Sequence, residues 1–446
     1  MSPFGFTPDD ANDDARDDGQ KPEDFSAMMR QMQEQIQKQF EQMGINPAGF
    51  VNPFAAFAGN TNETLPKSAV RDTAKKIVQL QGSQPIGTKD VSVIENAFEI
   101  ADLWLNEATV FPATILQATG ATTAPRAISR LDWVDLTVAG WHDTMEPLAT
   151  GLSSAISGLL DQAAGESDEL NNSMGAITGL LRTFIGSMIA TQLGQAIGAI
   201  SASATGAHDV GLPLLEPAKP VLIPENIELW SKDLEIPKTE IYIFHALREA
   251  AIARLFAHNP WIVSYIRSAI VDYGRGIHID MDAIQRQAEE LMSNFDPAQQ
   301  NPESGENTFS IALNNGVFTP EETPAQRAAL SKLETALALV DGWADEVAAL
   351  AAGERLPALT SLREIFRRQR ATNAPSQQLF KSLLGLQVSP RLAREASAFW
   401  QKARELKDIS ARDQIWSGIL PSAEELLDPE KFLKSAEIPD DLSGLL

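Results

Sequence analysis

One stretch of the sequence, residues 240–258, has side chains and a spacing that could support metal chemistry. It contains His245, Arg248, Glu249 and Ile252, and the period of a helix places these residues on one face. The active helix of a zinc hydrolase carries two histidines four positions apart that hold the metal, and a glutamate after the first that acts on metal-bound water. Here the glutamate is present, but Arg248 and Ile252 stand at the two histidine positions.

These two replacements remove the expected donor atoms. An arginine only donates hydrogen bonds, and an isoleucine side chain has no polar atom, so neither can ligate a cation. His245 lies one turn before Glu249, which leaves open a shifted site of His245, Glu249 and a distant carboxylate. A lone histidine on such a face is more often a hydrogen-bonded core residue. We therefore predict that no metal is bound and that no other cofactor is needed.

Composition excludes several other classes of site. The chain has 446 residues and a net charge of −24, which argues against nucleic-acid binding and against docking on an anionic membrane. It has no cysteine, which excludes disulfides, thiolate nucleophiles and cysteine-ligated metals. The first 24 residues are acidic and contain no apolar run, so they do not read as a secretory signal. Together these features predict a cytoplasmic protein.

The apolar residues recur at helical spacing along most of the chain and predict a mainly α fold. Period-two alternation is lacking, and only the proline-rich and aliphatic segment 212–224 favours extended backbone, as a short edge strand. The uncharged segment 183–203 is long enough to span a membrane, but its glutamines and serines favour a buried helix. The basic run 363–370 is expected to be a solvated helix face.

The sequence predicts four regions. Residues 1–24 form a disordered acidic tail. Residues 25–66 hold a methionine-rich amphipathic helix and a proline- and glycine-rich linker, and the apolar stripe of this helix docks on the body of the protein or on a partner. Residues 67–295 form a helical core with the motif helix, and residues 306–446 form a C-terminal helical region that contributes Asp341. The polar break 296–305 separates the last two regions.

Several short stretches, taken together, resemble one family. They lie at 248–256, 260–261, 318–324, 337–343, 383–386 and 412–416. In these stretches the chain resembles the actinobacterial zincin-like proteins, which are known as zinc-dependent metallopeptidases or hydrolases. The resemblance implies a multi-helical zincin-like metallopeptidase fold with a zinc-binding active helix. Carried over by position, it puts Arg248 and Ile252 at the histidine positions, Glu249 at the general base and Asp341 at a third, carboxylate ligand.

The resemblance and the two replacements together predict a pseudoenzyme of this family. Such a protein would act by binding a peptide or protein partner, and Glu249 would be vestigial. The alternative is an active zinc-dependent metallopeptidase or hydrolase with a rearranged site that uses Glu249 and zinc. We also expect Arg248 to replace the positive charge of the metal and to pair with Asp341, because a buried carboxylate needs a cationic partner.

Overall fold

Helices account for the regular structure of the chain in the computed structural model, which describes residues 64–113, 126–164, 186–276, 323–373 and 392–436. In chain order the helices are α1 (Lys67–Gln81), α2 (Thr88–Ala108), α3 (Arg130–Ala164), α4 (186–201), α5 (Pro224–Trp230), α6 (Lys238–His258), α7 (Pro260–Arg275), α8 (Pro324–Ala352), α9 (Leu359–Asn373), α10 (Ala393–Leu406), α11 (Ile409–Gln414) and α12 (Pro429–Ala436). Short 3₁₀ helices occur at Gly353–Arg355, Ile415–Ser417 and Glu425–Leu427.

The predicted mainly α fold is confirmed. Within the described residues, extended pairing is limited to isolated bridges in which Leu222 pairs with Ala127 and with Gly206. The expected strand at 212–224 is therefore reduced to a single bridging residue at its C-terminal end. Over the same part of the chain, we find no helix that combines the length and the apolar character needed to cross a membrane.

Helix α6 runs through the centre of the fold. Every residue from Ile241 to Phe256 is buried, which is typical of a helix packed on all sides rather than along one stripe. The helix packs against α2, α8 and α9. It ends at Asn259, and Pro260 opens α7, as the sequence predicted. The polar residues between Ile241 and Phe256 are therefore enclosed, and each needs a partner inside the protein.

Helix α8 is the second central element. It begins with a capping box, in which Thr323 accepts a hydrogen bond from the backbone of Gln326 and the Gln326 side chain accepts one from the backbone of Thr323, with Pro324 at the first helical position. It packs against α2, α6, α7 and α10. The described residues all lie in a compact unit that spans Glu63–Leu446. The predicted tail 1–24, the methionine-rich segment 25–43 and the break 296–305 lie outside the described residues.

Candidate functional site

A cleft opens where α6, α8, α9 and α10 meet the segment that joins α4 to α5. We call it the central cleft; its volume is about 350 Å³, at the lower end of the ~300–1,000 Å³ typical of ligand pockets. One part of its wall is aliphatic and another is rich in arginine. Its lining includes His208, Val210, Arg248, Ile252, Leu337, Val340, Asp341, Asp345, Phe366, Arg367, Arg370, Arg394 and Glu395.

Arg248 lies at the centre of this arrangement and is buried. Its Nη2 donates to Oδ1 of Asp341 at 2.5 Å, and its Nη1 lies 3.4 Å from Oδ1 of Asp345. The guanidinium also stacks over the ring of Phe366, 4.2 Å from its centroid. The pairing of Arg248 with Asp341 that the sequence predicted is therefore confirmed.

The carboxylate of Asp345 forms ion pairs with three arginines. Arg363 donates to both of its oxygens, at 3.1 and 2.7 Å, Arg367 donates at 2.6 Å, and Arg248 completes the set. Ser397 of α10 adds a hydrogen bond at 2.8 Å. Burial by itself would raise the pKa of Asp345, but the hydrogen bond from Arg363 and the surrounding guanidinium charges outweigh burial and hold that pKa well below its usual value. Asp345 therefore joins four helices through one ionised carboxylate.

The interpretation of 363–370 as a solvated face is wrong for three of its arginines. Arg363 and Arg367 turn inward to Asp345, and Arg370 donates to Asp209. Only Arg368 points to solvent, where it pairs with Glu364. The inward turn has a clear cause, because the buried carboxylates need cationic partners.

The carboxylate of Glu249 accepts hydrogen bonds from the backbone and from His208. Its Oε1 accepts the N–H of Ala207 at 3.0 Å and of Val221 at 3.3 Å, and Oε2 accepts the N–H of His208 at 3.1 Å. The Nδ1 atom of His208 lies 2.8 Å from Oε1. The carboxylate lies so close to Gly206 that a Cβ there would stand 2.4 Å from Oε2. Glu249 therefore anchors the segment between α4 and α5.

His245 is packed among aromatic rings and is not positioned to ligate a metal ion. Its ring makes edge contacts with Trp230, Phe244 and Phe366. Burial lowers its pKa to about 4; the nearby charge of Asp209 opposes this shift, and the charges of Arg248 and Arg370 add to it. The ring is therefore neutral at pH 7.

The structure brings together some of the predicted site residues and separates others. Arg248, Ile252 and Asp341 line the central cleft, with Ile252 packed as an apolar wall. Glu249 instead faces the 206–208 segment, and His245 lies among aromatic rings. Across the described part of the chain, no three histidine, aspartate or glutamate side chains are arranged to hold a metal ion.

His208, Asp209, Asp345 and the inward arginines were not predicted from the sequence. Two features of the sequence could have indicated some of them. Asp345 follows Asp341 by one helical turn, so both face the same way, and Arg363, Arg367 and Arg370 are spaced as an apolar stripe would be. His208 offered no comparable signal, because it meets Glu249 across 41 positions of sequence.

Removing Arg248 should destabilise the fold. In Arg248→Ala, Asp341 and Asp345 lose a buried cationic partner, and we expect the free energy of unfolding to fall by about 3–5 kcal/mol. Urea denaturation at pH 7 measures this change. The matched control is Arg368→Ala, which removes an exposed, solvent-screened pair and should leave the free energy of unfolding almost unchanged. Equal effects of the two variants would contradict the buried role of Arg248.

His245 should make stability depend on pH. Its folded pKa of about 4 lies below the unfolded value near 6.5. The unfolded chain therefore binds a proton between pH 6.5 and 4 that the folded chain does not bind, and stability should fall as the pH falls through that window, by about 3 kcal/mol in total. His245→Phe keeps an aromatic ring and should flatten this dependence in thermal melts between pH 7 and pH 4.5. Parallel curves for the two proteins would refute the assignment.

Comparison with known proteins agrees with this architecture. A family model described as zincin-like metallopeptidase matches residues 67–433, which is most of the chain. A solved structure, that of a candidate hydrolase with a novel fold from Chloroflexus aurantiacus, aligns with a TM-score of 0.54 at 15% identity and covers 84% of this chain and 99% of that chain. At this identity the likeness shows a shared fold alone. Among curated proteins, none matches this chain.

Proposed function

The chain belongs to the zincin-like metallopeptidase family, and on that premise we propose that it binds a peptide or protein partner in the central cleft without zinc-dependent catalysis. One observation carries this proposal. The Arg248 guanidinium stands where the resemblance places a zinc-ligating histidine, and Asp341 and Asp345 hold it there.

The residues at the expected zinc site do not fit the metal. Arg248 has no lone pair to offer and Ile252 has no donor atom. The oxygens of Glu249, the expected general base, accept hydrogen bonds from three backbone N–H groups and lie within reach of the His208 ring. A general base that activates water needs a carboxylate that is free to take a proton. The Glu249 carboxylate is already occupied, so this site does not support a zinc-dependent catalytic step.

The side chains that line the central cleft are suited to binding a peptide. The aliphatic wall formed by Val210, Ile252 and Leu337 can cover an apolar side chain, and the polar groups of α9 and α10 can orient a main chain beside it. The net charge of −24 argues for a peptide or protein rather than a nucleic acid or an anionic membrane. We place this activity in the cytoplasm, which remains a prediction from the sequence.

A fluorescein-labelled pool of random hexapeptides tests both parts of the proposal. Fluorescence polarisation should show binding to the native chain, and the same peptides carrying a fluorescence quencher should show no cleavage with or without added zinc. Ala371→Trp places a large ring at an exposed position on the cleft wall and should weaken binding at least about tenfold. The matched control is Ser361→Trp, at an exposed position of α9 outside the cleft lining, which should bind like the native chain.

The outcomes separate the competing functions. Cleavage that zinc supports and a chelator abolishes would favour the alternative, an active hydrolase with a rearranged site using Glu249. Equal binding by Ala371→Trp and Ser361→Trp would remove the central cleft as the binding site.

A further inference from the structure

His208 lines the central cleft, and one of its ring nitrogens has no hydrogen-bond partner within the described ranges. The residue is fully buried and lines the cleft. Because the oxygens of Glu249 act as acceptors, the Nδ1 atom of His208 is the donor of that pair, and in the neutral form of the imidazole Nε2 carries the lone pair. Among the described residues Nε2 has no hydrogen-bond partner. A buried acceptor without a donor is costly, so this atom is suited to an N–H group of a ligand.

A second unused acceptor belongs to α10, which also contributes to the lining of the cleft. Oε2 of Glu395, at the start of α10, is buried and, within the described ranges, has no hydrogen-bond partner. It also borders the central cleft. Two separated acceptors suit a ligand with more than one N–H group, and successive backbone amides of a peptide provide such groups.

The arginines of the cleft exceed its carboxylates. Around Asp345 three guanidiniums share one carboxylate, and one of them, that of Arg248, also pairs with Asp341. Arg394 borders the cleft, is exposed and makes no ion pair within the described part of the chain. A guanidinium without a salt bridge at the border of a cleft suits a carboxylate, which arginine binds in bidentate fashion.

The aliphatic wall defines the remaining part of the ligand. Val210, Ile252 and Leu337 line the cleft together. Burial of an aliphatic side chain against such a wall favours binding. The volume of about 350 Å³ suits one or two residues rather than a long segment.

We propose that the central cleft binds the carboxyl-terminal residue of a peptide whose last side chain is aliphatic. Arg394 pairs with the terminal carboxylate, Nε2 of His208 accepts the N–H of the last residue, and Oε2 of Glu395 accepts a preceding N–H. The aliphatic wall covers the side chain. This inference rests on the proposed function and names the class of ligand for the same cleft.

Three probe peptides test the inference with the native full-length chain. They are acetyl-Ala-Ala-Ala-Leu with a free carboxylate, the same peptide with a C-terminal amide, and an analogue in which an ester replaces the last peptide bond. Isothermal titration should show binding of the free acid, at least about tenfold weaker binding of the amide through loss of the charged pair, and about five- to tenfold weaker binding of the ester through loss of one N–H donor. The ester removes the bond to His208 without altering the protein.

A matched pair of variants assigns the carboxylate contact. Arg394→Gln should abolish the preference for the free acid over the amide, whereas Arg368→Gln, a change at an exposed arginine outside the cleft lining, should keep it. Equal affinity for acid and amide would overturn this inference and leave the proposed function standing, because the cleft would then bind internal peptide segments. Failure of all three peptides to bind at millimolar concentration would overturn this inference, and the proposed function would fall with it only if the random hexapeptides also failed to bind. Binding of free 4-methylpentanoate as tightly as the acid peptide would overturn the peptide assignment in favour of a small apolar acid.

Discussion

The variant Glu249→Ala should unfold at much lower denaturant concentration than the native chain. Loss of the carboxylate leaves the N–H groups of Ala207, His208 and Val221 and the His208 ring without an acceptor in a buried setting. We expect the free energy of unfolding to fall by about 3–5 kcal/mol, the range for breaking a buried charged network. Urea denaturation at pH 7 measures this loss.

A matched variant separates an anchoring role from a catalytic one. Glu240→Ala, on the same helix, removes a single hydrogen bond to the backbone of Ala358 and should cost about 1 kcal/mol. A general base at an open metal site would show the opposite pattern, with unchanged stability and lost activity. Glu249→Ala with native stability would therefore contradict the anchoring role assigned to this carboxylate.

The variant Asp345→Asn should be the most damaging change on α8. It leaves Arg248, Arg363 and Arg367 without their shared counter-charge, and it weakens the hydrogen bond from Ser397 that ties α10 to this point. We expect a loss of about 3–5 kcal/mol in the free energy of unfolding. Added phosphate should recover part of the stability by binding the stranded arginines.

Asp341→Asn is the matched control for this experiment. Asp341 is more exposed and has one arginine partner among the described residues, so we expect a loss of about 1 kcal/mol. Equal small losses for the two variants would show that the arginines do not depend on Asp345. A loss for Asp345→Asn that phosphate does not reduce would argue that packing, and not charge, causes it.

The spacing of apolar residues, caps and prolines along the sequence predicted the helices better than it predicted the site. The end of α6 at Asn259 and the start of α8 at Thr323 follow from caps and prolines, which act over a few residues. The pairing of Arg248 with Asp341 was expected because the family resemblance linked two distant positions. Helical spacing shows which side chains share a face, but it does not show whether that face meets solvent or another helix.

The incorrect predictions for individual residues have this cause, because helical spacing does not show what a helix face contacts. The arginines of α9 were expected in water because they are charged, yet Asp345 and Asp209 draw them inward. Glu249 was expected to face a metal site, yet the segment joining α4 to α5 brings backbone N–H groups and His208 to it from 28–42 positions earlier in the chain. Neither convergence is encoded in local periodicity, because both depend on how the helices and the connecting segment pack.

The zinc content of the purified protein shows whether the family's metal site has been lost. The full-length protein, purified without chelator, incubated with an equimolar amount of zinc chloride and dialysed against metal-free buffer, is measured by inductively coupled plasma mass spectrometry. We expect no stoichiometric zinc, because Arg248 and Ile252 supply no ligand atom and the Glu249 carboxylate already accepts hydrogen bonds from backbone N–H groups. One zinc per chain retained after dialysis would contradict this expectation.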